Sequence, residues 1–243
     1  YGDHRDLHLS IRRQRQMCIR DRSIIILFIN ISLYIVMYTH MLSNDIFFIF
    51  DLETNGLPYS SSRGYKFVGN WPKIVQIAWG LYNYKGENLV FRNYTLKPIN
   101  FVISQESTKI HGISNNFAKK NGKKMSDIVD ILKQDLQKST FLVSHNLNFD
   151  KNTLLAEFKR MNRYDLIHLF ETKKQICTLK ETTHFCRLTG SPNSQSLYKW
   201  PKLSELYKKL FNISLQNAHD AEYDVKNLSK CFFELIKRNI INL

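Results

Sequence analysis

The run Ile46-Phe47-Phe48-Ile49-Phe50, ending in the carboxylate of Asp51, constrains this chain more than any other feature. Five consecutive apolar, β-favouring residues leave no polar face to turn toward water, so the run predicts a strand buried on both sides. Two further strands are predicted at Ile74–Tyr82 and Asn88–Lys97, with Lys85-Gly86 as the hairpin turn between them. The polar loop Tyr59–Asn70, with Ser60-Ser61-Ser62 and two glycines, is expected to be mobile.

The apolar period then lengthens. Met125, Ile128, Val129, Leu132 and Leu136 recur at helical spacing, with Ser126 as the expected cap. Phe141-Leu142-Val143 reads as a short buried strand, followed by a helix carrying Leu154, Leu155 and Phe158, and Ile176-Cys177 reads as a fifth strand. A last helix from about Asp220 to Arg238 aligns Ala221, Val225, Leu228, Phe232 and Leu235 on one stripe. A strand hairpin followed by strands alternating with helices indicates one α/β domain with a mixed sheet.

Composition bounds the function. With 43% hydrophobic and 23% charged residues the 243-residue chain is globular, which excludes disorder throughout. Lys and Arg number 35 against 21 Asp and Glu, a net +14 that favours a polyanionic partner. Ile, Asn, Lys, Phe and Tyr are all encodable by A/T-only codons, so nucleotide bias is an alternative source of the lysines. Four cysteines without a CxxC pair do not make a disulfide scaffold, and the expected compartment is intracellular and cytoplasmic.

Residues 1–40 differ from the rest. Arg12, Arg13, Arg15, Arg20 and Arg22 precede a 16-residue apolar run from Ile24 to Thr39, short of the roughly 20 residues a spanning helix needs. No small-residue cleavage site follows it. The stretch Arg15-Gln16-Met17-Cys18-Ile19-Arg20-Asp21-Arg22 resembles translated sequencing-adapter sequence, so 1–40 is expected to be an extraneous or disordered leader before a domain spanning 41–243. A membrane-proximal segment and a core helix are the alternatives; no membrane partner is expected.

Three acidic clusters carry the chemistry. Asp51-Leu52-Glu53 places two carboxylates on one side of a strand, about 6.5–7 Å apart, a spacing that hard cations can bridge. Such a triplet alone also fits an ordinary strand end. His145-Asn146-Leu147-Asn148-Phe149-Asp150 follows the Phe141–Val143 strand, and Asp150 could equally be a cap or first-turn acid. In His219-Asp220-Ala221-Glu222-Tyr223-Asp224, Asp224 shares the helix face of Ala221 and Leu228, where an unpartnered carboxylate would be costly.

In order and spacing, Phe50-Asp51-Leu52-Glu53-Thr54-Asn55-Gly56-Leu57, His145-Asn146-x-x-Phe149-Asp150 and His219-x4-Asp224 resemble the three motifs of the DEDDh 3′-to-5′ exonucleases, particularly those similar to the epsilon subunit of bacterial DNA polymerase III. Lys109-Ile110-His111-Gly112-Ile113-Ser114 and Tyr198-Lys199-Trp200-Pro201-Lys202-Leu203 also look like family segments. The resemblance implies a ribonuclease H-like fold, a mixed five-stranded sheet flanked by helices. It also implies two Mg²⁺ or Mn²⁺ ions on Asp51, Glu53, Asp150 and Asp224, with His219 as the general base. Asp51 would bridge the ions, Glu53 and Asp224 would complete the nucleophile-side site, and Asp150 would hold the second ion directly or through water.

Thr54, Leu57, His111, Asn146 and Phe149 resemble substrate-binding positions, with core packing an equal reading of Phe149. Asn55 stands where many members carry Thr, and Asp220 is an alternative to Asp224 as ligand. The implied activity is hydrolysis at the 3′ end of single-stranded or frayed DNA, releasing nucleoside monophosphates. A DNA polymerase or replication partner is compatible with it. An exoribonuclease on the same scaffold and a non-catalytic nucleic-acid-binding module are the rival expectations.

Overall fold

A central strand with apolar side chains on both faces needs a layer on each side, and the chain supplies both from its helices. The computed structural model describes residues 45–190, 197–215 and 220–243, within the compact unit Asp45–Leu243. The leader expected at 1–40, Cys18 and His219 lie outside the described residues. The first strand, β1 (Ile46–Thr54), is followed by β2 (Ile74–Asn83), β3 (Asn88–Thr95), α1 (Gln105–His111), α2 (Asn115–Asn121), α3 (Met125–Lys138) and β4 (Phe141–Ser144). Then come α4 (Leu147–Arg160), α5 (Tyr164–Glu171), β5 (Lys174–Cys177), α6 (Thr178–Cys186), α7 (Leu203–Phe211) and α8 (Ala221–Lys237).

The five strands form one mixed sheet in the order β3-β2-β1-β4-β5. Strand β1 pairs antiparallel with β2 and parallel with β4, so its backbone is saturated on both edges. Its side chains divide by strand alternation. Phe48, Phe50 and Leu52 join Trp79, Leu132, Leu136, Phe158 and Phe170 in one core. Phe47 and Ile49 join Val143, Leu228, Phe232 and Leu235 in the other. Ring contacts fix the two layers: Phe50 meets Phe170 edge-on at 5.8 Å on one face, and Phe47 meets Phe232 at 5.2 Å on the other.

The mixed α/β sheet and its five strands agree with the sequence reading, and some element bounds differ. Strand β3 stops at Thr95. Helix α3 is capped at Lys124, whose N–H donates to Asp127 Oδ2, so Ser126 lies inside the first turn. The Tyr59–Asn70 loop is closed by Ser60 N–H donating to Asn70 Oδ1 at 2.9 Å and Asn70 Nδ2 donating to Ser60 O at 2.8 Å. Its last three residues form a 3-10 turn. Cys177, Cys186 and Cys231 are free thiols. Among the described residues no helix is long and apolar enough to cross a membrane.

Candidate active site

The alternation that sends Phe47 and Ile49 into the α8-side core sends Asp51 and Glu53 to the same face. Asp51 lies opposite Ala78 and Glu53 opposite Gln76 on β2, and the register shifts between Glu53 and Thr54, a local irregularity at the end of the paired strand. Helix α8 buries Ala221, Val225 and Leu228 against this side of the sheet, and Asp224 stands on that face. One carboxylate oxygen from each of Asp51, Glu53 and Asp224 falls within 4.8 Å of the others. Asp150 is not one of this trio. It is the fourth residue of α4, buried, and accepts from Ser144 Oγ at 2.5 Å.

The turn between β4 and α4 is made by Asn146 in the left-handed conformation at φ 74°, which Asn tolerates better than most side chains. Asp220 does not join the trio. It caps α8, its side chain accepting from the N–H groups of Glu222 and Tyr223.

Crowded carboxylates in a buried setting resist ionisation. Burial, followed by the charges of Asp150, Asp224, Glu53 and Asp220, holds Asp51 well above the usual carboxylate range. Glu53 is pushed up to about 8, first by burial and then by Asp224, Asp150 and Asp220. Burial also lifts Asp150 to about 7, against the opposing hydrogen bond from Ser144. Hard oxygen donors from three elements, with Asp51, Glu53 and Asp150 all held above the usual carboxylate range, fit a divalent cation of the Mg²⁺ or Mn²⁺ type that would favour their ionised form.

A polar chain ties α8 to the sheet. Gln76 on β2, 3% exposed, accepts from Ala221 N–H through Oε1 at 3.2 Å and donates from Nε2 to Asn93 Oδ1 at 3.1 Å. Asn93 Nδ2 in turn donates to Glu222 Oε2 at 2.8 Å. The first turn of α8, and with it Asp224, is thereby hung on the strand next to the one bearing Asp51.

The acidic residues open into a cleft of about 730 Å³, lined also by Leu57, Asn146, Phe149, Trp200 and Lys202. Leu57 is 83% exposed at its mouth, beyond Thr54, whose Oγ1 donates to Gly56 O at 2.6 Å. Phe149 is half-buried, its ring 6.3 Å from that of Trp71. His111 does not line the cleft. It is buried at the end of α1, accepts from Ile113 N–H through Nδ1, and has its pKa lowered by burial against the opposing pull of the Thr54 backbone. Gly112 makes this corner with φ 75°. His145 lines the cleft with its ring tied to Thr178 Oγ1 and Pro201 O.

Residues 48–232 match the RNase_T family, described as Exonuclease. The chain belongs to this exonuclease family. Among curated proteins it is 26% identical over 196 residues to the PolC-type DNA polymerase III of Streptococcus pneumoniae, a match covering 81% of this chain and 11% of the polymerase. The exonuclease thus spans about a tenth of the length of these relatives. Escherichia coli Exonuclease I, solved with a dA16 oligonucleotide, superposes with a TM-score of 0.62 at 19% identity, over 80% of this chain and 41% of that one. Exonuclease X, solved with 5′ overhanging duplex DNA, superposes with a TM-score of 0.52 at 20% identity, over 81% and 94% of the two chains. At such identities these structures speak for the fold, the mixed sheet of the ribonuclease H-like exonucleases.

Sequence reasoning about this exonuclease missed the parts that meet only in space. Gln76, Ser144 and Tyr59 carried no motif. Trp200 lay in a segment that looked like the family but had no role attached, and its 63% exposure is the signal that separates it from core tryptophans.

Proposed function

We propose that this exonuclease removes nucleoside monophosphates from the 3′ ends of single-stranded or frayed DNA. The observation that carries the proposal is the meeting of Asp51, Glu53 and Asp224 within 4.8 Å at the floor of an open cleft. The oligonucleotide and overhanging duplex bound by Exonuclease I and Exonuclease X support DNA as substrate. In this reading Asp51, Glu53 and Asp224 would hold one divalent cation, and Asp150, which accepts from Ser144, would hold a second directly or through water. When bound, such cations would supply electrostatic stabilisation to an in-line displacement at phosphorus. His219 takes the proton from the attacking water. Leu57, Thr54, Asn146 and Phe149 position the terminal nucleotide, with the buried His111 near the Thr54 backbone.

The test is digestion of matched 3′-labelled DNA and RNA oligomers with Mg²⁺, Mn²⁺ or chelator. Metal-dependent release of mononucleotides from DNA is expected, with Asp51→Asn lowering the rate at least about a thousandfold. Full activity of that variant, or in chelator, would sink the mechanism. Faster digestion of RNA would move the substrate to the exoribonuclease alternative, and tight binding without turnover in Mn²⁺ would favour a non-catalytic module. The kinship with PolC-type polymerases supports a setting beside a DNA polymerase or replication partner.

A further inference from the structure

A second groove of about 730 Å³ adjoins the acidic cleft and shares Leu57, Asn146, Phe149, Leu179 and Trp200 with it. Where the cleft is lined by carboxylates, the groove is lined by Lys180 and no acid. Two of its rings are strongly exposed, Tyr59 at 91% and Trp200 at 63%. Neither stands on slack backbone. Tyr59 N–H donates to Asn70 O at 3.2 Å, and the next residue is tied to the Asn70 side chain in both directions. Beside Trp200, Lys199 N–H donates to Leu188 O at 2.9 Å, and His145 Nε2 meets Pro201 O at 2.9 Å. Large rings kept in water on fixed supports lose little entropy when a flat partner covers them. A phosphate backbone avoids acid and accepts lysine, and unpaired bases offer the flat apolar faces that such rings stack upon.

Resting on the exonuclease reading and extending it, we propose that this groove binds the nucleotides immediately 5′ of the terminal one, with their bases stacked on Tyr59 and Trp200. Bases within a duplex are already stacked and paired, so the groove selects single strands before the acidic cleft acts on the 3′ end. The serines at 60–62 and Asn148, also in the lining, supply polar contacts for the intervening sugars and phosphates.

The test is fluorescence anisotropy of end-labelled oligothymidylate in chelator, for the dinucleotide and the dodecamer, with wild-type protein, Tyr59→Ala, Trp200→Ala, the double variant and Trp200→Phe. Each alanine substitution is expected to weaken dodecamer binding about tenfold, to lower the preference for dodecamer over dinucleotide by a similar factor, and to act less on a blunt duplex. Trp200→Phe should restore most of the loss. Unchanged dodecamer affinity in the double variant, an equal loss on the dinucleotide, or no dodecamer binding by the wild type would overturn the groove assignment. Mononucleotide release in Mn²⁺ is scored in parallel. Length-selective binding that needs both rings but gives no release would leave the groove standing and remove the exonuclease reading.

Discussion

Glu53 shows how much one carboxylate can report. Its ordinary value of 4.5 is raised to about 8 by burial and by three neighbouring acids. In the metal-free protein the folded state therefore holds a proton that the unfolded chain has lost. Its contribution is fully present below about 4.5 and is lost as pH rises through 8; Asp150, raised to about 7, acts in the same direction. The melting temperature of chelated protein should fall between pH 5 and pH 8 by several degrees. Mn²⁺ should raise it more at pH 8 than at pH 6, since a cation binds the deprotonated acids; differential scanning fluorimetry reads both trends. A chelated protein that melts higher at pH 8 would contradict the shared burial.

Gln76 is tested at the same scale. Gln76→Leu removes the acceptor for Ala221 N–H, and the Mn²⁺ concentration giving half the thermal shift should rise about tenfold. An unchanged midpoint would show that Asp224 needs no such tether. Asp51 and Glu53 were legible as a pair because strand alternation is a local rule. Asp220 and Asp224 could not be separated by helical spacing alone, since both lie one turn apart on a common face. Cap geometry places Asp220 against Glu222 and Tyr223 and leaves Asp224 in the trio.

At the scale of elements, α8 does two jobs with one face: it buries Phe232 against Phe47 and delivers Asp224. Phe232→Ala should cost about 3–5 kcal/mol in urea unfolding and should also weaken Mn²⁺ binding, because the helix carrying Asp224 loses its seat. The opposite layer offers a control. Asp135 on α3, 1% exposed, accepts from Trp79 Nε1 at 3.1 Å and pairs with Arg92 and Lys138. Asp135→Ala orphans the buried indole N–H and should cost about 1–3 kcal/mol. Its Mn²⁺ midpoint, normalised to the variant's own metal-free melting temperature, should not move. The main strands and the last helix were readable because their apolar periods are long or unbroken. The helices α1, α2, α5, α6 and α7 went unassigned, being short segments whose buried residues find their partners only in the folded layers.

At the scale of the whole molecule, Lys and Arg outnumber Asp and Glu by 14 even with the acidic trio counted among the acids. If those cations serve a phosphate backbone, log affinity for single strands should fall linearly with log salt, with a slope of about −0.7 for each phosphate neutralised. A flat plot in the anisotropy assay would return the lysines to codon composition.

The sequence by itself determined the central strand, the α/β alternation, the spacing of Asp51 and Glu53, and the acidic motifs at 150 and 224, because each is written in residues close enough along the chain to share one strand or one helix. Tertiary structure alone decided which acids converge, that Gln76 tethers α8, that His111 is buried at the end of α1, and that Tyr59 and Trp200 face one groove. Those relations join residues far apart in the chain, and no local period encodes the distance between two side chains until the sheet and its two helical layers have closed around β1.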